Sequence, residues 1–222
     1  MGRIFVLVTL VALSLTATTH AFAYTGTLTT SDGLTGGLRG TGTWFPVTIT
    51  WDVSWTGTAW SYIYDVTATG KNISHFIVEA SPSLVESDIS TNWKSVPDPL
   101  PDDVIVMNNT SGNGNDTIPG DLWGIRFNPI SEASSWHVEF TTLRMPVWGD
   151  FYVRDGNPQR VLQSAWNEGF LTADPTDPLA NGSILNHILV PDTRTVPEPG
   201  GLLAIATGLI SMIGLSTRRF RR

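Results

Sequence analysis

Residues 47–68 read "VTITWDVSWTGTAWSYIYDVTA". Val47, Ile49, Trp51, Val53 and Trp55 alternate with Thr48, Thr50, Asp52 and Ser54. A period of two puts the apolar side chains on one face of a strand and the polar ones on the other. Gly57 and Thr58 supply a turn, after which Trp60, Tyr62, Tyr64 and Val66 alternate again, so the stretch predicts a β-hairpin. Outward from it, short runs rich in Thr, Val, Trp and Tyr predict strands over 24–30, 73–80, 104–107, 122–127, 136–142, 148–154 and 184–190. Residues 161–168 are the one stretch expected to form a short helix. Three Pro-, Asp- and Asn-rich stretches, 95–103 ("SVPDPLPDD"), 108–121 and 172–181 ("TADPTDPLAN"), read as long surface loops. The expected class is all-β, an antiparallel β-sandwich of the jelly-roll or immunoglobulin-like kind, with a closed barrel as the alternative.

The two ends differ from this middle. Arg3, the apolar run from Ile4 to Leu15 and the small-x-small triplet Ala21-Phe22-Ala23 make residues 1–23 a secretory signal peptide, cut after Ala23. Residues 200–217 are 18 positions without a charge, close to the ~20 apolar residues that a spanning helix needs. Arg218, Arg219, Arg221 and Arg222 follow and are expected to stay in the cytoplasm as a stop-transfer signal. Pro197 and Pro199 resist helix, which predicts an extended, accessible strip before the membrane. Residues 24–195 are then one domain's worth of chain, long enough to bury a core.

Of 13 basic residues five lie in the flanking segments, and of 20 acidic ones only Glu198 does; the middle therefore carries eight against 19, a net charge near −11. Nucleic acid is excluded as a partner, because phosphate binding is driven by Lys and Arg. The chain has no cysteine, so it folds without disulfides and uses no thiol nucleophile.

Pro197-Glu198-Pro199, Leu202-Leu203, Gly208-Leu209 and the arginine cluster together resemble the PEP-CTERM sorting signal of Gram-negative bacteria, over residues 196–222. The resemblance implies a sequence of handling: the translocon and signal peptidase at the inner membrane, a transient membrane anchor, then exosortase, a membrane-embedded transpeptidase-like enzyme, cutting near Pro197–Pro199. It implies a cell-surface or extracellular protein associated with exopolysaccharide or biofilm. "ISHFIVEAS", "PGDLWGIRF", "GDFYVRDG" and "AWNEGF" are similar to stretches in other exported proteins with this tail, and support one domain running up to it.

Residues that carry chemistry are sparse. "SGNGNDTIP", residues 111–119, resembles one nonapeptide of a calcium-binding β-roll, with Asp116 and Asp121 as the oxygen ligands of a looser calcium site; a single copy lacks the neighbouring turn that completes such a site. His75, His137 and His187 show no third ligand at a recognisable spacing, although His137 and Glu139 share a strand face. Glu79, Glu139 and Asp150 fall on expected strands with nothing in the sequence to pair them as the two acids of a glycosidase. No Gly-x-Ser-x-Gly elbow occurs. Trp60, Trp93 and Trp123 are candidates to stack on sugar rings. A structural or adhesive role is expected first, a carbohydrate-binding module second and a secreted hydrolase third, and no catalytic residue is assigned.

Overall fold

A computed structural model describes residues 22–30, 36–41, 46–70, 72–90, 94–96, 103–111, 114–128, 133–155 and 163–195. Strands β1 (Ala23–Thr29) and β2 (Leu38–Gly40) precede the hairpin β3 (Val47–Trp55) and β4 (Trp60–Ala68). The hairpin runs in unbroken register from Val47↔Ala68 to Trp55↔Trp60, closed by Thr56 N–H donating to the Ala59 carbonyl at 2.9 Å. Strands β5 (Ile73–Glu79), β6 (Lys94–Val96), β7 (Asp103–Asn109), β8 (Leu122–Asn128), β9 (Ser135–Thr142), β10 (Arg144–Gly149), β11 (Phe151–Asp155), β12 (Ser164–Asn167) and β13 (Ile188–Thr195) follow. One 3-10 turn, Glu86–Asp88, interrupts them.

Every strand pair is antiparallel. One sheet has the order β1-β3-β4-β9-β6, a second β2-β12-β11-β5-β8-β7, and β10 pairs with β13 alone. Alternation does what it promised: Val47, Ile49, Trp51 and Val53 are buried while the Thr and Asp between them are partly exposed. The buried faces of both sheets contribute to one core. Tyr64 meets Phe76 edge-on at 5.7 Å, and Phe127 meets Phe140 at 5.8 Å, each pair crossing from one sheet to the other. Burying such a side chain contributes about 1.5–3 kcal/mol. The two core phenols are not left unsatisfied: Tyr62 donates to the Arg144 carbonyl at 2.9 Å and Tyr64 to the Leu189 carbonyl at 2.8 Å. They tie the first sheet to β10 and β13.

Four expectations change. The short helix over 161–168 is overturned: Ser164–Asn167 is strand β12, paired with β11 on one side and β2 on the other. Ser164, Ala165 and Asn167 are buried irrespective of face, so the segment shows no two-residue alternation, and strand pairing decides its state. The strand expected over 148–154 is two strands that meet at Asp150, where the chain leaves β13 and joins β5. That expected over 184–190 starts only at Ile188. Leu185 and Asn186 have φ of 49° and 64°, which forms a tight turn closed by His187 N–H on the Ile184 carbonyl at 2.9 Å. Finally, β2 and β6 were unforeseen, β6 overlapping the loop read at 95–103, and Asn108 and Asn109 end β7 rather than open a loop.

Ala21, Trp93, the expected sorting motif Pro197, Glu198 and Pro199, the apolar stretch 200–217 and the four arginines lie outside the described residues. Ala23 opens β1, so a cut behind it leaves Tyr24↔Val53 as the first pair of the ladder. Among the described residues no helix is long and apolar enough to cross a membrane.

Candidate functional site

The junction between β10 and β11 collects polar groups that the sequence leaves scattered. Where a strand changes partners its backbone loses regular ladder bonds, and side chains take their place. Glu79, the last residue of β5, accepts the Asp150 N–H at 2.7 Å, while its own N–H donates to the Asp150 carbonyl at 2.9 Å. Asn167, the last residue of β12, accepts the Phe151 N–H at 3.0 Å and donates its amide to the Asp150 carboxylate. Asp150 is thus buried, 5% exposed, and fixed from two sides.

His187 reaches the same carboxylate from the other direction. Its ring is fully buried, with Nδ1 3.0 Å from Asp150 Oδ1 and 3.5 Å from Asp174 Oδ1. The turn at 184–187 places it, and Ser183 Oγ donating to the His187 carbonyl at 2.7 Å holds the turn's far side. Two glycines leave room. A Cβ on Gly169 would sit 2.5 Å from His187 Nε2, and one on Gly149 would sit 2.8 Å from Glu79 Oε2. Asp174 belongs to the loop expected at 172–181 and is half-exposed. It lines a groove of about 440 Å³ bounded by Met145, Trp148, Asp177, Leu179 and Asp192, which opens the cluster to solvent.

The electrostatics are lopsided. Burial, with Asp174 and Asp150 adding to it, pushes the Glu79 carboxyl up to about 8. Burial and Asp150 raise Asp174 as well, with His187 opposing. Three carboxyl groups therefore act on one another, and two of them, Asp150 and Asp174, crowd one imidazole. Asp150, Asp174 and His187 also form, among the described residues, the group whose ligand atoms all lie within 4.8 Å of one another.

Thr172, His187 and Asp150 stand in the spatial order of a nucleophile, imidazole and acid, but the hydrogen bonds run the wrong way. The Thr172 hydroxyl donates to the Gly169 carbonyl at 2.7 Å, so it receives the His187 Nε2–H across 3.1 Å. A general base must instead take the hydroxyl proton. Nor do Glu79 and Asp150 act as a glycosidase pair: the structure brings them together, as the sequence did not foretell, yet neither lines the groove.

The other candidates fall elsewhere. Asp116 faces Arg154 at 3.6 Å, and among the described residues neither Asp116 nor Asp121 joins a group of three His, Asp or Glu side chains; Asn115 and Thr117 of the nonapeptide-like segment bond to the second sheet. There Asn115 accepts His75 Nε2–H at 2.8 Å and Thr117 meets the Tyr152 hydroxyl at 2.9 Å. His137 and Glu139 do share a strand face, 4.0 Å apart, and cross-strand Asp65 lies 2.8 Å from the same ring. Trp60 is buried against Trp55 and offers no ring to a sugar; Trp123 is half-buried beside Pro82, Leu84 and Val106. No protein-family model matches the chain, and neither does any curated protein or solved structure.

What sequence reasoning missed is the convergence of Glu79, Asp150, Asp174 and His187. One signal was present. An Asp stands in the middle of "VWGDFYV", where continuous apolar residues predict an uninterrupted buried strand. A charge there marks a break in pairing.

Proposed function

We propose that this chain is an exported surface or extracellular-matrix protein, sorted by exosortase through residues 196–222, whose β-sandwich body has a structural or adhesive role in exopolysaccharide or biofilm material. The observation that carries the reading is the consecutive occurrence of Pro197-Glu198-Pro199, an uncharged 18-residue run and four arginines, in a chain that also opens with an export-type segment. The body supports it. Antiparallel strands that share one aromatic core hold shape outside a cell without disulfides, for which the chain has no cysteine. The acidic surface suits a solvated matrix of neutral polymer. β13 ends at Thr195, two residues before Pro197, so the folded body gives way to the sorting strip with almost no linker.

Mass spectrometry of the mature protein from its native host tests this. A chain that starts at Tyr24 and lacks everything behind roughly Pro199 is expected. Recovery of the intact C-terminus, Arg222 included, from surface fractions would refute sorting.

A further inference from the structure

The hydrogen bond on the far side of His187 selects between the two tautomers of its ring. The Thr172 hydroxyl spends its proton on the Gly169 carbonyl, which only accepts, and so must accept from His187 Nε2–H. In the neutral tautomer with the proton on Nε2, the Nδ1 lone pair faces the carboxylate oxygens of Asp150 and Asp174. Three electron-rich atoms facing one another repel unless something positive stands between them. A ring proton would serve if Nδ1 pointed along a hydrogen bond, but Nδ1 has no hydrogen-bond partner despite lying 3.0 Å from Asp150 Oδ1. Nδ1 is thus left buried beside two carboxylate oxygens with a hydrogen bond to neither.

That is how ligands are arranged around a shared ion. Ligands at about 2.1 Å from a tetrahedral metal stand roughly 3.4 Å apart; the two contacts here are 3.0 and 3.5 Å. Oriented outer partners accompany such ligands: Thr172 holds the free nitrogen of the imidazole, and Asn167 holds the Asp150 carboxylate. The geometry points to a divalent metal site formed by Asp150, Asp174 and His187, with its fourth position toward the groove beside Asp174. The imidazole nitrogen favours a borderline cation, zinc before calcium, since calcium takes oxygen ligands. Bound there, the ion staples the 168–187 loop to the β10–β11 junction. This inference is independent of how the chain is sorted.

Full-length protein, purified in detergent and stripped with chelator, is titrated with zinc and with calcium by calorimetry. Uptake of one zinc per chain is expected, with Asp174→Asn weakening it roughly tenfold or more. Asp174 is half-exposed, so this variant keeps the fold; His137→Asn, at the surface cluster with Asp65 and Glu139, should bind zinc as the parent does. Four outcomes overturn the site: no zinc uptake by the parent, unchanged affinity in Asp174→Asn, loss of binding in His137→Asn, or calcium bound in preference to zinc.

Discussion

Gly169 shows how little space surrounds the buried imidazole. A methyl group there would stand 2.5 Å from His187 Nε2 and 2.7 Å from the Leu185 carbonyl, both held in place. Gly169→Ala is expected to destabilise the protein by about 1–3 kcal/mol, the usual range for overpacking. Urea unfolding checks it; an unchanged midpoint would mean that the ring can retreat. Sequence gave no hint of this residue's role. Its partner lies 18 positions away across a loop with no periodicity, and the preceding Leu185 adopts a positive φ that its side chain disfavours, a feature dictated by neighbours and not by local preference.

At the scale of elements, alternation was the legible signal and its absence the blind spot. The hairpin at 47–68 could be read almost to the residue because one face is buried and the other wet. β12 could not, since its residues are buried on both sides, and β2 and β6 are three-residue strands too short to show a period. Arg144 opens β10 and illustrates an anchor of the same invisible kind. Its guanidinium, almost wholly buried, donates to the Ser83 hydroxyl and carbonyl at 3.0 and 2.9 Å and pairs with Asp88 of the 3-10 turn. Burial works against ionisation of Asp88, but the Arg144 contact prevails and holds its carboxyl below the usual range. Arg144→Met should cost about 2–3 kcal/mol, because several charge-assisted bonds vanish at once. Thermal unfolding with the milder Asp88→Asn beside it measures this; equal, small losses would show that the turn stands without the guanidinium.

For the molecule as a whole, acid is the informative stress. His75 is buried under Asn115 and near Arg126 and Arg154; burial first, then the two arginines, bring its pKa down from 6.5 to about 3, with the Asn115 bond opposing. Between those values the unfolded chain takes a proton that the folded one refuses. Stability from this group is therefore complete above pH 6.5 and falls as pH drops toward 3, by up to about 1.4 kcal/mol per unit. His75→Gln, which retains an amide donor for Asn115, should lose less stability than the parent between pH 7 and pH 5. Parallel urea titrations at the two values decide; identical losses would remove His75 from the account.

Tyr64 in the first hairpin finds its hydrogen-bond acceptor at Leu189, 125 positions later. Closing a span that long is slow, and no local segment can substitute for it. The ribosome must therefore deliver nearly the entire body before the core can shut, and the residues that seal it are followed at once by Val196 and the proline motif. On the proposed reading of residues 196–222 as a sorting signal, maturation of shape and arrival of the address label become nearly simultaneous events, so a nascent chain long enough to be handled there has only just become able to finish folding.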